Sequence, residues 1–393
     1  MQRTHLLPWS EATRRLVERR AVFDAHADSI GRAVDLGVDL GKRGTEGHLD
    51  LVRGREGGLG VWVVVCWVDP EEYVDAPFRR ANAMIDAARA LEARHGDAFR
   101  IVGNAQEMEA AQRDRVLAGV LGIEGGHALE EDLANLEHFH RRGLRVLTLV
   151  WNNHLPWIRS CQPGAGDEIP EGLSDFGRDV VGRMNELGIV VDLSHAGMQS
   201  VRDVLAVSER PCIASHSGCH ALHDHPRNLR DVELRALAEG GGVVGIVFHP
   251  GFLDAEARAE EGRVRSGATY RSLAGRDSAH TFELQRETMQ RLAKPMPAER
   301  LIAHVRHAVN VAGIDHVGIG SDYDGIQRGP AGLEDASCYG TLAELLFRDG
   351  FSTEHVEKIL GGNLRRLFVE VTGQAQAPAA AADDRRVRNA QAT

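Results

Sequence analysis

The stretch 189–216, IVVDLSHAGMQSVRDVLAVSERPCIASH, holds two short apolar runs, each closed by a Ser-His pair, with a helix-like segment between them. Strand, helix and strand in that order predict neighbouring parallel strands joined by a crossover. The same grammar repeats outward in both directions. Apolar runs at 21–25, 61–68, 116–123, 145–150, 189–193, 211–215, 242–248 and 316–321 read as eight strands. Just past them stand His26 and Asp28, Glu124, Trp151, His195, His216, His249 and Asp322. Eight strand–helix units predict an α/β fold, a closed (β/α)8 TIM barrel with its active site at the carboxyl ends of the strands. Polar residues that repeatedly end buried strands are hard to explain by packing.

Length and composition fit one such domain. The chain has 393 residues, 43% hydrophobic and 26% charged, an ordinary globular composition. A barrel of about 250 residues accommodates insertions that carry it past about 400. A net charge of -11 argues against nucleic acid and against an anionic membrane surface as partners. Cys66, Cys161, Cys212, Cys219 and Cys338 show no CxxC spacing and read as free thiols of a reducing compartment. The N-terminal sequence MQRTHLLPWSEATRRLVERR has no apolar signal-like region, and no run approaches the roughly 18 apolar residues of a spanning helix. A cytoplasmic location is the expectation.

Residues 10–20 read as a short amphipathic helix leading into the barrel. The charged, Ala-rich 71–100 reads as the helix after the second strand, and 172–187 as a helix capped by Ser174. The connection 250–315 is the longest. It reads either as a lid or substrate wall, or as an oligomer contact or tolerated insertion, which leaves a homodimer open. From Gln374 the sequence QAQAPAAAADDRRVRNAQAT cannot bury a core and reads as a disordered tail. The expected organisation is a lead-in over 1–20, a catalytic barrel over 21–373 and a tail over 374–393.

His26 and Asp28, separated by Ala27, point to the same side of an extended chain. Imidazole and carboxylate suit first-row metals, zinc especially; a capping Asp beside an incidental His is the alternative. Glu124 lies between VLAGVLGI and Gly125-Gly126. An acid there is unfavourable unless paired or metal-bound, and its two oxygens suit it to bridge two ions. A Glu at a helix N-terminus is the alternative. His195 and His216 add imidazoles from consecutive strands. Together these five residues suffice for two metal ions sharing one carboxylate, with positions open to water. Asp322, ending HVGIGSD, is placed to take and return a proton, with Asp324 as its rival. Arg227, next to Asn228, offers a bidentate fork for a carboxylate or is a surface charge. His220, His223 and His225 read as a solvated loop rather than as a second metal cluster.

The segments DAHADS, GIEGG, VDLSHAG, ASHSGCHALHDHPRNLRD, GIGSDYDG and GGNLRRLF, in that order over about 22–368, resemble the renal (membrane) dipeptidases and their bacterial relatives. The resemblance implies an amidohydrolase-like barrel with two Zn2+ ions, one on His26 and Asp28, the other on His195 and His216, with Glu124 bridging. It also implies Asp322 as proton shuttle and Arg227 as anchor for the substrate's terminal carboxylate. Three pocket positions depart from the best-known members. Trp151 stands where they carry a carbonyl-polarising histidine, with His154 three residues later as a substitute from the loop. Trp67 and His249 stand where they carry tyrosines.

The expected function is a zinc-dependent dipeptidase acting on small dipeptides, including those with a C-terminal D-residue, through a metal-bridging hydroxide. Asp322 serves as general base and acid and one zinc polarises the carbonyl, with His154 as the candidate to replace the missing polarising histidine, while Arg227, Asn228, Trp151, Trp67 and His249 contact substrate. One alternative is a related amidohydrolase acting on another amide or a lactone, suggested by Trp67 and Trp151. The other is a catalytically silent metal-binding protein, against which the retained Asp322 counts.

Overall fold

The structure, a computed structural model, describes residues 7–273 and 278–373; the tail expected from Gln374 lies outside the described residues. Among the described residues nine strands form one sheet: β1 (Val22–Ala27), β2 (Leu59–Trp67), β3 (Phe99–Ile101), β4 (Leu117–Glu124), β5 (Leu144–Thr148), β6 (Val190–Asp192), β7 (Ile213–Ser217), β8 (Val243–Val247) and β9 (Val317–Gly320). Their order is β2-β1-β9-β8-β7-β6-β5-β4-β3, and β2 pairs with β4 to close the ring. All eight strands read from the sequence are present, and they make a parallel (β/α)8 barrel.

The ninth strand, β3, is the element the sequence reading missed. The helix expected over 71–100 spans Pro77–His95, and the chain then adds Phe99–Ile101 to the amino-terminal part of β4, beside Leu117–Gly119. Phe99 is buried against Gly119, where a Cβ would lie 2.4 Å from its ring. Tertiary packing of one aromatic thus overrides the helical propensity of its surroundings. The helix Asp175–Leu187 starts as expected, with Ser174 Oγ accepting the Gly177 N–H.

Alternate residues of β2 enter two cores, as strands covered on both faces require. Val61, Val63 and Val65 join Phe23, Val146 and Ile213 in a cluster completed by Leu364, Leu367 and Phe368 of the C-terminal helix Asn363–Thr372. Trp62, Val64 and Cys66 pack into the second cluster with the surrounding helices.

His304, on the helix Ala298–Ala312, is 1% exposed. Its Nδ1 accepts the Cys219 N–H at 2.9 Å and its Nε2–H donates to Leu253 O at 2.9 Å, tying the loop after β7 to the loop after β8. A ring engaged this way is neutral, and burial pushes its pKa down to about 4. The unfolded chain takes up this proton near its ordinary value of about 6.5, whereas the fold excludes it down to about 4. The contribution is therefore complete above the unfolded value and is lost as pH falls through the window between the two. Urea unfolding should show stability dropping across that window, by at most about 1.4 kcal/mol per pH unit from this group. His304→Gln should flatten the slope; an unchanged slope would assign it to other groups.

Candidate metal centre and active site

Strand regularity breaks where polar side chains gather. The register of β1 shifts between Asp24 and Ala27, around His26, and that of β7 between Ala214 and Ser217, around His216. Such irregularities re-aim side chains beside active sites. His195 and Asp322 hold left-handed φ angles of 70° and 61°. For non-glycine residues this conformation costs about 1–3 kcal/mol, and it concentrates at functional sites.

Glu124, the last residue of β4 rather than the first of a helix, lies at the centre. Its Oε2 is 3.5 Å from His26 Nε2, while its Oε1 is 3.0 Å from His195 Nε2 and 3.4 Å from His216 Nε2. Asp28 Oδ2 is 3.5 Å from His26 Nε2. Three groups have ligand atoms within 4.8 Å of one another: His26-Asp28-Glu124, Glu124-His195-His216 and His26-His216-Asp322.

A layer of hydrogen bonds that the sequence reading missed turns every Nε2 inward. Ser215 Oγ donates to Asp192 Oδ2 at 2.6 Å, which leaves its lone pairs for His216 Nδ1 at 2.8 Å and His26 Nδ1 at 3.3 Å. One hydroxyl thereby sets two imidazole tautomers. Asn152 Oδ1 does the same for His195 Nδ1 at 3.0 Å. The only sequence signal was the serine preceding each histidine, Ser194 and Ser215. Removing such a partner costs about 10–100-fold in metal affinity or activity. Asn152→Leu is thus expected to weaken metal binding by that factor in chelator competition; unchanged affinity would show that His195 is oriented without it.

The donor set fits divalent metal. His26 Nε2, both Asp28 oxygens and Glu124 Oε1 are buried and without a hydrogen-bond partner among the described residues. Burial, reinforced by Arg227, pushes His195 down to about 4, and burial holds His216 well below its ordinary value, so both imidazoles are neutral with a free lone pair. Glu124 stays ionised: burial works against it, but His26 and His195 hold it below the usual carboxylate range. Burial disfavours a charge on His26 too, yet Glu124 and Asp28 push its pKa up to about 10. That pull on a proton marks the place where a cation is stabilised. Burial, against His26 and with Glu124 adding to it, likewise raises Asp28 well above the usual carboxylate range, so a bound cation would take the place of the protons held at Asp28 and His26; neutral imidazoles and ionised carboxylates are what zinc and related ions bind.

Asp28, Glu124, His195 and His216 open into a cavity of about 780 Å³. Arg227, Trp67, Trp151, His249 and Asp322 line it, with Asn152, Arg265, Gln285 and Gln327, which carry no sequence signal. The rings of Trp67 and Trp151 lie 5.1 Å apart, and Trp151 lies 6.0 Å from His195. Arg227 is no surface charge: it is 4% exposed, its Nη2 donates to His216 O at 3.1 Å, and its guanidinium stands 5.4 Å over the Phe252 ring. The 250–315 connection supplies cavity wall through Phe252, Arg265, Phe282 and Glu283.

Three expectations need correction. His154 does not line the cavity; its Nδ1 accepts the Ser160 N–H at 3.2 Å, in a loop that doubles back to pair Leu155 with Ile158. Asn228 is also outside the lining, fully buried, with Nδ2 donating to His223 O at 2.9 Å and Phe252 O at 2.7 Å. It pins two loops together. The histidine-rich loop is only partly solvated, because His225 is buried 4.4 Å from the Phe252 ring and accepts the Arg227 N–H.

Fold and site together define a metal-dependent hydrolase on a (β/α)8 barrel. Residues 10–381 match the model of the membrane dipeptidases, peptidase family M19, and the chain belongs to that family. A Schizosaccharomyces pombe protein described as an uncharacterized dipeptidase is 32% identical over 338 residues, 83% of this chain and 73% of its own. The dipeptidase tcpJ of Claviceps purpurea is 32% identical over 333 residues, 83% of this chain and 69% of its own. Among solved structures, the M19 dipeptidase AC aligns with a TM-score of 0.74 at 27% identity, covering 90% of this chain and 98% of that one. A Rhodobacter sphaeroides metallopeptidase, liganded with a phosphinate mimic of L-Ala-D-Ala, aligns at 0.73 and 28%, covering 89% and 99%. No helix among the described residues is long and apolar enough to cross a membrane.

Proposed function

We propose that this protein is a cytoplasmic dipeptidase working with two zinc ions, one held by His26 and Asp28, one by His195 and His216, with Glu124 shared. The observation that carries the reading is Glu124, which presents one oxygen to His26 and the other to His195 and His216, in a cavity that also contains Arg227. Bound zinc would polarise the scissile carbonyl and lower the pKa of water toward about 7.

The chain's own residues do the rest. Arg227 pairs with the substrate's terminal carboxylate. Trp67 and Trp151 keep bulk water from the reacting bond. Asp322, pushed up to about 7 by burial with Glu124 adding to it against His26, takes the proton of the attacking water and returns it to the leaving amine. A D-residue is accepted at the C-terminal position, a reading supported by the L-Ala-D-Ala mimic on the Rhodobacter relative.

The test is turnover by zinc-loaded protein of L-Ala-L-Ala, L-Ala-D-Ala, their C-terminal amides, N-acyl amino acids and lactones. Free dipeptides should be preferred. Losing a hydrogen bond to a charged group costs about 1.5–3 kcal/mol. Arg227→Met should therefore raise KM for dipeptides roughly 10–100-fold and scarcely affect the amides. A wild type that prefers amides or lactones would shift the reading to a related amidohydrolase, with the Trp67–Trp151 pair shaping an apolar pocket. Metal-loaded protein inert to the whole panel would leave a silent metal-binding protein.

A further inference from the structure

Trp67 and Trp151 hold defined places around the mouth of the barrel. Trp67 ends β2 on the same face as Val61, Val63 and Val65, so it packs on the interior cluster and borders the cavity above it. In the sheet Trp67 pairs with Glu124, and Glu124 pairs with Thr148, three residues before Trp151. The two indoles thus straddle the shared carboxylate, their rings 5.1 Å apart and tilted by 56°, and the Trp151 ring stands 6.0 Å from that of His195. Both are half-buried and form cavity wall.

Arg227 is held at β7 by its bond to His216 O. Around the closed ring β7 lies four strands from β2 in either direction, so the guanidinium stands across the mouth from Trp67. A dipeptide with its carboxylate on Arg227 and its scissile carbonyl at Glu124 therefore extends its N-terminal residue toward β2, β4 and β5, onto the indoles. The charges on that side are committed. Arg80 stands 4.7 Å over the Tyr73 ring and pairs with Asp35 at 2.7 Å, which fills the place a substrate cation would take. Asp69 Oδ1 accepts the Glu71 N–H at 2.8 Å and the Glu72 N–H at 3.3 Å. Glu71 and Glu72 are exposed at the rim, where salt screens them. A substrate anion would meet these acids. What the wall offers a side chain is the apolar surface of the indole pair.

We propose that Trp67 and Trp151 form the subsite for the substrate's N-terminal side chain and select a large apolar one, so that the enzyme prefers dipeptides beginning with Phe or a residue of similar bulk. The inference rests on the dipeptidase reading, with Arg227 as the carboxylate anchor. Taking a Phe-sized side chain fully out of water favours binding roughly 10–100-fold over leaving it exposed. An aromatic ring gains further from tilted contact with the indoles. The cavity of about 780 Å³ falls within the roughly 300–1,000 Å³ of pockets that enclose ligands larger than a dipeptide of small residues. A charged side chain in the same place loses hydration without gaining a partner.

The experiment measures kcat/KM of zinc-loaded protein on Phe-Ala, Lys-Ala, Glu-Ala, Ala-Ala and Ala-Phe. Phe-Ala should exceed each of the others by about tenfold or more. Trp67→Ala and Trp151→Ala should each bring the ratio of Phe-Ala to Ala-Ala toward one. Trp67 packs on the barrel interior, so Trp151→Ala, in a loop, keeps the test open if Trp67→Ala fails to fold. Indoles that only exclude water would slow both substrates alike, and an unchanged ratio in folded, metallated Trp151→Ala would overturn the subsite. Lys-Ala hydrolysed as well as Phe-Ala would also overturn it, since the acids of the rim would then be selecting. Ala-Phe preferred over Phe-Ala would place the bulky side chain at the other end and overturn it too. Hydrolysis of none of the dipeptides would instead remove the dipeptidase reading beneath it.

Discussion

Asp322→Asn is expected to lower kcat by about 10²–10⁴-fold, the usual contribution of general acid–base catalysis, while metal content and fold stay as in the wild type. Asparagine keeps the shape of the side chain and tolerates the left-handed backbone at this position, but a carboxamide accepts no proton at neutral pH. The rival, Asp324, is spent on structure. Its carboxylate accepts the His48 N–H at 2.7 Å, the Leu49 N–H at 3.2 Å and the Ser29 hydroxyl. Asp324→Asn should therefore cost stability more than turnover at saturating substrate. A fully metallated Asp322→Asn enzyme with wild-type kcat would move proton transfer elsewhere.

Glu124→Gln is expected to cut metal content from two ions per chain to one or none, with turnover falling alongside it. Glu124 faces His26 with one oxygen and His195 and His216 with the other. The substitution turns one of those oxygens into an NH2 group, which carries hydrogens and no ligand lone pair. Whichever way the amide sits, one group of donors faces it. Breaking a buried charge pairing typically costs about 3–5 kcal/mol, enough to empty a site at moderate metal concentration. Elemental analysis against the folded fraction is the measurement. Two tightly held ions in the variant would mean that Glu124 is not shared between sites.

The sequence alone determined the barrel and its candidate donors, because each signal is local. An apolar run that a parallel sheet buries on both faces stops at a polar residue where the strand emerges, and such stops were readable at His26, Glu124, Trp151, His195, His216, His249 and Asp322. Tertiary structure decided what depends on distant segments meeting. Residues 99–101 become β3 because Gly119 leaves room for Phe99. His154 faces Ser160, and Asn228 is absorbed in pinning two loops. Ser215 and Asp192 set imidazole tautomers, and Asp324, two residues from Asp322, is committed to the chain at His48 and Leu49. Strand ends are set by nearest-neighbour chemistry along the chain, whereas hydrogen-bond partners are set by the folded backbone, and no spacing in the sequence encodes which groups it brings within 3 Å.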